Sequence, residues 1–156
     1  MKIALYVCPQ TVCSSLSMAM DAFVLANRLA GQRLFELQRV SLDGNAVDLG
    51  FAQIQVDDDL SLAEEADLIL LAASGSAIDT TLSDNAALLP WLAQRAPTQQ
   101  LASLCSSAFL LAAAGVLDGR RATTLWALAS QFRQRFPQVN LQIEQLVCED
   151  GRLLSS

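Results

Sequence analysis

Cys105 is the residue of this chain best placed to do chemistry, because an apolar run ends at it and an alanine- and leucine-rich stretch follows. Residues 101–104 are typical of a strand and residues 106–114 of a helix, which predicts the sharp turn of a nucleophile elbow at Cys105. The first N–H groups of the following helix would then favour a thiolate. An ordinary strand–helix junction with a buried, unreactive cysteine is the alternative interpretation.

The usual partner of such a cysteine is missing, because the chain contains no histidine. A cysteine nucleophile needs a base that takes its proton and an acid that later returns one to the leaving group. A second subunit of the same sequence cannot supply an imidazole either. The sequence therefore predicts that Cys105 and Ser106 form a vestigial elbow, with no catalytic residues.

Composition limits the other classes of function. The 156 residues suffice for one domain, and 53% hydrophobic with 17% charged residues describe a globular protein. A formal net charge of −6 opposes binding to nucleic acid by these residues alone. No apolar run has the length of a membrane span, so no membrane partner is expected. Four cysteines without C-x-x-C spacing indicate reduced thiols in a cytoplasmic protein, and no metal or cofactor is predicted.

The elements that must position Cys105 alternate between strands and helices. Strands are predicted at residues 2–8, 35–42, 67–72, 101–104, 141–147 and from 152 onward, with a hairpin or extended excursion at 46–60. Helices are predicted at residues 14–30, 62–66, 84–96, 106–114 and 127–136. A serine is expected to cap the first helix and Gly31 to end it. This alternation predicts a three-layer α/β/α sandwich with a mostly parallel sheet, flavodoxin-like in class.

Several stretches carry a family resemblance. They are Asp21-Ala-Phe23, residues 26–29 and 66–71, the Cys105 elbow, and above all residues 113–124 with Trp126, 136–137 and 148–154. The chain resembles the class I glutamine amidotransferase-like fold of the PfpI superfamily, and more narrowly the N-terminal domain of AraC-family transcription regulators.

The resemblance implies that residues 1–156 form a regulatory domain that is incomplete at its C-terminus. In such regulators a helix-turn-helix DNA-binding domain is expected downstream. An unidentified small-molecule effector and a homodimer are then the expected partners, and DNA is contacted only through the missing domain.

Three departures from the family pattern decide the expected activity. Enzymatic members place a histidine after the Thr-Thr pair, where this chain has Leu125, and many place a carboxylate where it has Ser15. The usual Pro-Gly-Gly after the third strand reads Ala72-Ala73-Ser74. A backbone N–H of this loop is expected to remain available to an oxyanion. The resemblance therefore implies a protein that is not an enzyme.

The old catalytic cleft is expected to serve as the effector pocket, at the carboxyl ends of the parallel strands. The residues expected there are Cys8, Pro9, Ser15, Ala73, Ser74, Gly75, Cys105, Ser106, Leu125 and Trp126.

Two other functions stay open. A histidine-independent thiol enzyme, such as an isonitrile hydratase, needs a carboxylate. The nearest candidate, Asp21, is six residues beyond Ser15, on the order of 9 Å along a helix. The second alternative is a redox sensor in which Cys105 is oxidised and Cys13 is the resolving thiol.

Overall fold

Ten strands and five α-helices alternate along residues 1–156, all of which the computed structural model describes. The strands are β1 (Lys2–Tyr6), β2 (Glu36–Val40), β3 (Val47–Asp48), β4 (Gln53–Ile54), β5 (Leu68–Leu71), β6 (Gln100–Ser103), β7 (Arg121–Ala122), β8 (Asn140–Leu141), β9 (Cys148–Asp150) and β10 (Leu153–Ser155). The helices are α1 (Cys13–Ala30), α2 (Ile78–Asp84), α3 (Leu88–Ala93), α4 (Ala108–Ala113) and α5 (Ala129–Arg135). Short 3₁₀ turns occupy Leu60–Glu65, Cys105–Ser107 and Trp126–Leu128.

Six of the strands form the central sheet in the order β2-β1-β5-β6-β10-β9. The first five run parallel, and β9 pairs antiparallel with β10. The excursion at residues 46–60 contains the antiparallel pair of β3 and β4. The mostly parallel, flavodoxin-like sheet expected from the sequence is confirmed.

Both faces of the sheet are covered. Along β1 and its continuation, Ala4, Tyr6 and Cys8 belong to one apolar cluster, whereas Ile3, Leu5 and Val7 belong to the other. Successive residues of a strand point to opposite faces, so a strand buried on both sides needs a continuous apolar run. The larger cluster includes residues of α2 to α5, and the smaller one includes residues of α1. The sheet therefore lies between two helical layers.

The expected serine cap of α1 is wrong. The helix begins at Cys13 after Val12, with no side-chain cap, and Ser15 lies in its first turn. Ser15 instead accepts a hydrogen bond from the backbone of Ala73, so a tertiary contact replaces the local cap. Gly31 ends the helix as expected, in the left-handed conformation with φ 62°.

The single helix expected at residues 84–96 is also wrong. Helix α2 ends at Asp84 and α3 begins at Leu88. The break is stabilised by Asn85, whose side chain donates to the carbonyl of Thr81 and accepts from the hydroxyl of Tyr6. Because the Tyr6 contact joins residues far apart in the chain, local periodicity could not reveal it.

The strand expected at residues 141–147 is reduced to β8, which ends at Leu141. Val147 is exposed, so its alternation with Leu141 and Ile143 does not mark a buried face. The carbonyl of Gln145 accepts a hydrogen bond from the hydroxyl of Thr123, which holds this segment as a loop beside β7.

Candidate functional site

Cys105 has φ 56° and is the one residue other than glycine with a positive φ. It is the first residue of the 3₁₀ turn that follows β6, so its backbone has the geometry of the predicted elbow. For an L-residue the left-handed region costs about 1–2 kcal/mol. Two contacts hold this conformation: the N–H of Cys105 donates to the carbonyl of Ser156, and the Thr124 hydroxyl donates to the carbonyl of Cys105.

The two serines after Cys105 are buried and tie the elbow to the neighbouring strand. The Oγ of Ser107 lies 3.1, 2.5 and 2.9 Å from the carbonyl oxygens of Leu71, Ala72 and Leu104. The Oγ of Ser106 accepts from the backbone N–H of Ser74 at 3.1 Å. Small side chains with a hydroxyl are therefore needed here for packing and for hydrogen bonding.

In the loop after β5, where a backbone N–H was expected to remain available to an oxyanion, the N–H groups of Ala73 and Ser74 are occupied. The N–H of Ala73 donates to Ser15 Oγ at 3.0 Å, and that of Ser74 donates to Ser106 Oγ. Short polar side chains readily take up nearby backbone donors. An oxyanion bound by either of these two N–H groups would have to displace a serine hydroxyl.

A cleft of about 310 Å³ opens at Cys105, with Thr124, Leu125 and Trp126 in its wall. Besides Cys105, its lining consists of leucine, isoleucine, threonine, tryptophan, glutamine and serine residues. No second ionisable side chain therefore lines the cleft. Trp126 and Leu146 are 76% and 90% exposed, which gives the cleft an apolar outer rim.

A larger cavity of about 450 Å³ lies at the carboxyl ends of β1 and β2. Tyr6, Cys8, Pro9 and Asn85 contribute to its wall. The hydroxyl of Tyr6 donates to Asn85 Oδ1 at 2.5 Å, and Asn85 Nδ2 donates to Gln10 Oε1 at 3.2 Å. These contacts join the end of β1, the loop after it and the end of α2 into one polar network.

The residues expected to form a single effector pocket are divided between these places. Cys8 and Pro9 line the larger cavity, and Cys105, Leu125 and Trp126 line the cleft. The other five expected residues are buried or half-buried and are absent from both linings. These five are Ser15, Ala73, Ser74, Gly75 and Ser106.

Sequence reasoning missed the polar residues of the larger cavity. Tyr6 and Asn85 are 3% and 1% exposed, whereas the sequence indicates only a strand for Tyr6 and a helix for Asn85. The available signal was a phenol within an otherwise apolar strand. Its partner, Asn85, is distant in sequence and could not have been identified.

Burial keeps the phenol of Tyr6 and the thiol of Cys8 in this cavity neutral. Burial raises the pKa of Tyr6 well above its ordinary value, and the nearby Cys8 and Asp43 raise it further. Burial also raises the pKa of Cys8, although the hydrogen bond with Thr11 partly opposes this.

All four cysteines are free thiols, and Cys13 lies half-buried at the start of α1. None of the helices combines the length and hydropathy of a membrane span.

The fold and the cysteine elbow place the chain in a known class. Residues 2–156 match the DJ-1/PfpI family, and the chain belongs to that family. The elbow at Cys105 and the flavodoxin-like sheet are therefore those of a DJ-1/PfpI domain.

Three proteins that are similar to this chain are named as transcriptional regulators. It is 26% identical over 143 residues to the HTH-type transcriptional regulator GbdR of Pseudomonas aeruginosa, spanning 91% of this chain and 38% of the regulator. A putative transcriptional regulator from Vibrio parahaemolyticus has a TM-score of 0.87 at 17% identity, covering 100% of this chain and 83% of that one. An AraC family transcriptional regulator from Pseudomonas putida has a TM-score of 0.75 at 23% identity, covering 99% and 82%.

Because the backbone of Cys105 is left-handed, glycine should be a more stable replacement than alanine at this position, which reverses the usual order. We expect Cys105→Gly to be more stable than Cys105→Ala by about 1 kcal/mol, because only glycine adopts this region without strain. Urea unfolding of both variants measures the difference. At the buried Cys148 in β9, whose φ is not positive, alanine should instead be the more stable replacement. The same order at both positions would contradict the strained elbow.

Tyr6 is the only tyrosine, so its ionisation can be followed alone by phenolate absorbance. Because its pKa is raised in the folded chain, the native protein should show no phenolate near pH 10, where the urea-unfolded chain titrates. The stability contributed by the neutral phenol is complete below the unfolded pKa. It should fall by about 1.4 kcal/mol per pH unit above it. Tyr6→Phe should lack this part of the alkaline loss, and a native phenol that titrates near pH 10 would contradict the burial.

Proposed function

We propose that the chain is the non-catalytic, ligand-sensing and dimerising domain of an AraC-family transcription regulator. The observation that carries the proposal is the cleft at Cys105, which has Leu125 in its wall and no ionisable side chain besides the cysteine. The resemblance places the catalytic base of enzymatic members at the position of Leu125. Nothing in this cleft takes the thiol proton or returns one to a leaving group.

The alternative thiol-enzyme reading has little support in the geometry. The resemblance places the carboxylate of many enzymatic members at the position of Ser15. The Oγ of Ser15 accepts a hydrogen bond from the N–H of Ala73. Asp21, the next carboxylate along the helix, is exposed on α1. Neither residue therefore offers a carboxyl group to Cys105. The redox-sensor alternative is not supported by any contact between cysteines. The thiol of Cys13 instead forms a hydrogen bond with the hydroxyl of Ser17.

The relatives support a role in transcription. GbdR is named an HTH-type regulator, and this chain corresponds to 38% of its length. DNA contact would then belong to a further domain, because the charge of −6 gives residues 1–156 no attraction to phosphates. A regulator that addresses two half-sites of DNA commonly acts as a two-fold dimer.

Helix α1 offers a surface for such a dimer. Its inner face packs Leu16, Met20 and Phe23 with the smaller core cluster. Its outer face carries an exposed apolar stripe with helical spacing, which consists of Met18, Ala22, Leu25 and Leu29. Three of these side chains, Met18, Leu25 and Leu29, are 72%, 54% and 81% exposed.

The charges beside this stripe suit antiparallel packing of two copies. If Met18 of each copy lies opposite Leu29 of the other, Asp21 lies opposite residue 26 of the other copy, two residues from the partner's Arg28. This is about 3 Å along the helix axis. Each copy would then supply one carboxylate and one guanidinium at the margin of the apolar contact. The two-fold arrangement satisfies both pairs at once.

The non-catalytic proposal predicts no turnover by the cysteine. With p-nitrophenyl acetate, glutamine or an isonitrile, the rate of the chain should equal that of Cys105→Ser. Leu125→His should raise acylation of Cys105 by p-nitrophenyl acetate at least about tenfold, because a positioned base typically contributes a hundredfold or more. The double variant Cys105→Ser/Leu125→His is the control and should stay inactive. Turnover by the native chain that Cys105→Ser abolishes would overturn the proposal.

The dimer proposal predicts a change in mass. Sedimentation equilibrium should give twice the monomer mass of 16.8 kDa for the native chain. Leu25→Glu should give the monomer, because it places two like charges in the centre of the apolar contact. Leu146→Glu is the matched control, since Leu146 is 90% exposed but lies far along the chain from α1. A native chain that sediments as a monomer, or equal effects of both variants, would contradict a dimer through α1.

A further inference from the structure

The larger cavity has the size and position of a small-molecule site, and it is separate from the cysteine cleft. Its volume of about 450 Å³ is within the range of ligand pockets. It lies at the carboxyl ends of the neighbouring parallel strands β1 and β2. In open α/β sheets this is the usual place for a ligand.

The wall of this cavity includes a buried hydrogen-bond acceptor that nothing fills. Tyr6 is 3% exposed, and its hydroxyl donates to Asn85 Oδ1 but receives no hydrogen bond. Both N–H groups of the Asn85 amide are used, since they donate to the carbonyl of Thr81 and to Gln10 Oε1. These two buried side chains therefore offer a ligand an acceptor and no free donor.

The charges around the cavity are all of one sign. Three carboxylates line it, those of Asp43, Asp48 and Asp84, and no lysine or arginine does. None of the three has a basic partner within salt-bridge distance. They accept hydrogen bonds from neutral donors instead, as when Asp48 accepts from the N–H of Gly50 and Asp84 from the amide of Gln10.

Asp43 is ionised, and the three carboxylates do not form a metal site. Hydrogen bonds from Asn45 lower the pKa of Asp43, so it is charged at neutral pH. No group of three or more acidic, cysteine or histidine side chains has the arrangement of a metal site. The remaining wall includes apolar side chains, among them Val7, Leu42 and Val47. The cavity thus combines negative charge, a vacant acceptor and an apolar surface.

We propose that this cavity binds a small protonated amine with a short apolar body. The ammonium group supplies both the positive charge that the carboxylates lack and the N–H donors that Tyr6 Oη can accept. An anion would be repelled, and a neutral molecule would leave the charge uncompensated. The inference rests on the proposed function in one respect only, which is that the bound amine acts as the effector of the regulator.

The experiment is an NMR titration of the isotope-labelled chain at low ionic strength with probes of similar size. Butylammonium should shift the backbone amide signals of Asn45, Ala46 and Asn85, and not those of Thr124 and Trp126. Its affinity should exceed that of 1-butanol by about tenfold, and butyrate should cause no shift there. Tetramethylammonium has the charge but no N–H, and it should bind about fivefold more weakly than butylammonium.

Matched variants test the role of the carboxylates. Asp43→Asn, Asp48→Asn and Asp84→Asn each keep a side-chain acceptor, and each should weaken butylammonium binding about two- to fivefold. Glu144→Gln removes one negative charge from an exposed residue outside the cavity and should leave the affinity unchanged. The native amide spectrum of each variant confirms that it is folded.

The proposal is overturned if butylammonium binds no better than 1-butanol or tetramethylammonium. It is also overturned if the shifts map to the cleft at Cys105, or if Glu144→Gln weakens binding as much as the three aspartate variants. The measurements of turnover and of mass do not involve this cavity. A failure of the amine site is therefore distinguishable from a failure of the regulatory function.

Discussion

The backbone N–H groups of Ala73 and Ser74 control how the carboxyl edge of the sheet is built. They follow β5 in a buried loop, where an unpaired donor costs about 1–3 kcal/mol. Ser15 of α1 satisfies one of them, and Ser106 of the elbow satisfies the other. The same two hydrogen bonds thus fix the first helix and the cysteine turn relative to the central strands. They also occupy the donors that an oxyanion would need.

This arrangement explains how a strained elbow can be held by the fold alone. The positive φ of Cys105 is held by contacts to Ser156 and Thr124, and Ser107 anchors the turn to the end of β5. These contacts stabilise the junction of β6 with its helix, whatever the cysteine does. Retention of the turn is therefore weak support for a retained reaction. For the proposed function, Leu125 at the position where the resemblance implies a base is the more informative feature.

The sequence predicted what depends on local patterns, and it failed where distant residues decide. The continuous apolar run from Lys2 identified a strand buried on both faces, and Gly31 identified the end of α1. The break between α2 and α3 depends on the contact of Asn85 with Tyr6, across 79 positions of the chain. The placement of Ser15 opposite Ala73 spans 58 positions. Side-chain contacts of this range leave no trace in periodicity, so the larger cavity could not be derived.

The larger cavity and the exposed stripe of α1 are joined by a short segment of chain. Cys8 and Pro9 line the cavity, and α1 begins at Cys13. Within this segment the N–H of Val12 donates to the carbonyl of Ala73 at 2.7 Å, and Thr11 contacts Cys8. A ligand changes the association of two copies only if its affinity differs between the separate and the paired state. Residues 8–13 are the most direct covalent connection between a ligand site in the cavity and an association surface on α1. Within them, the buried thiol of Cys8 is five residues from the start of α1.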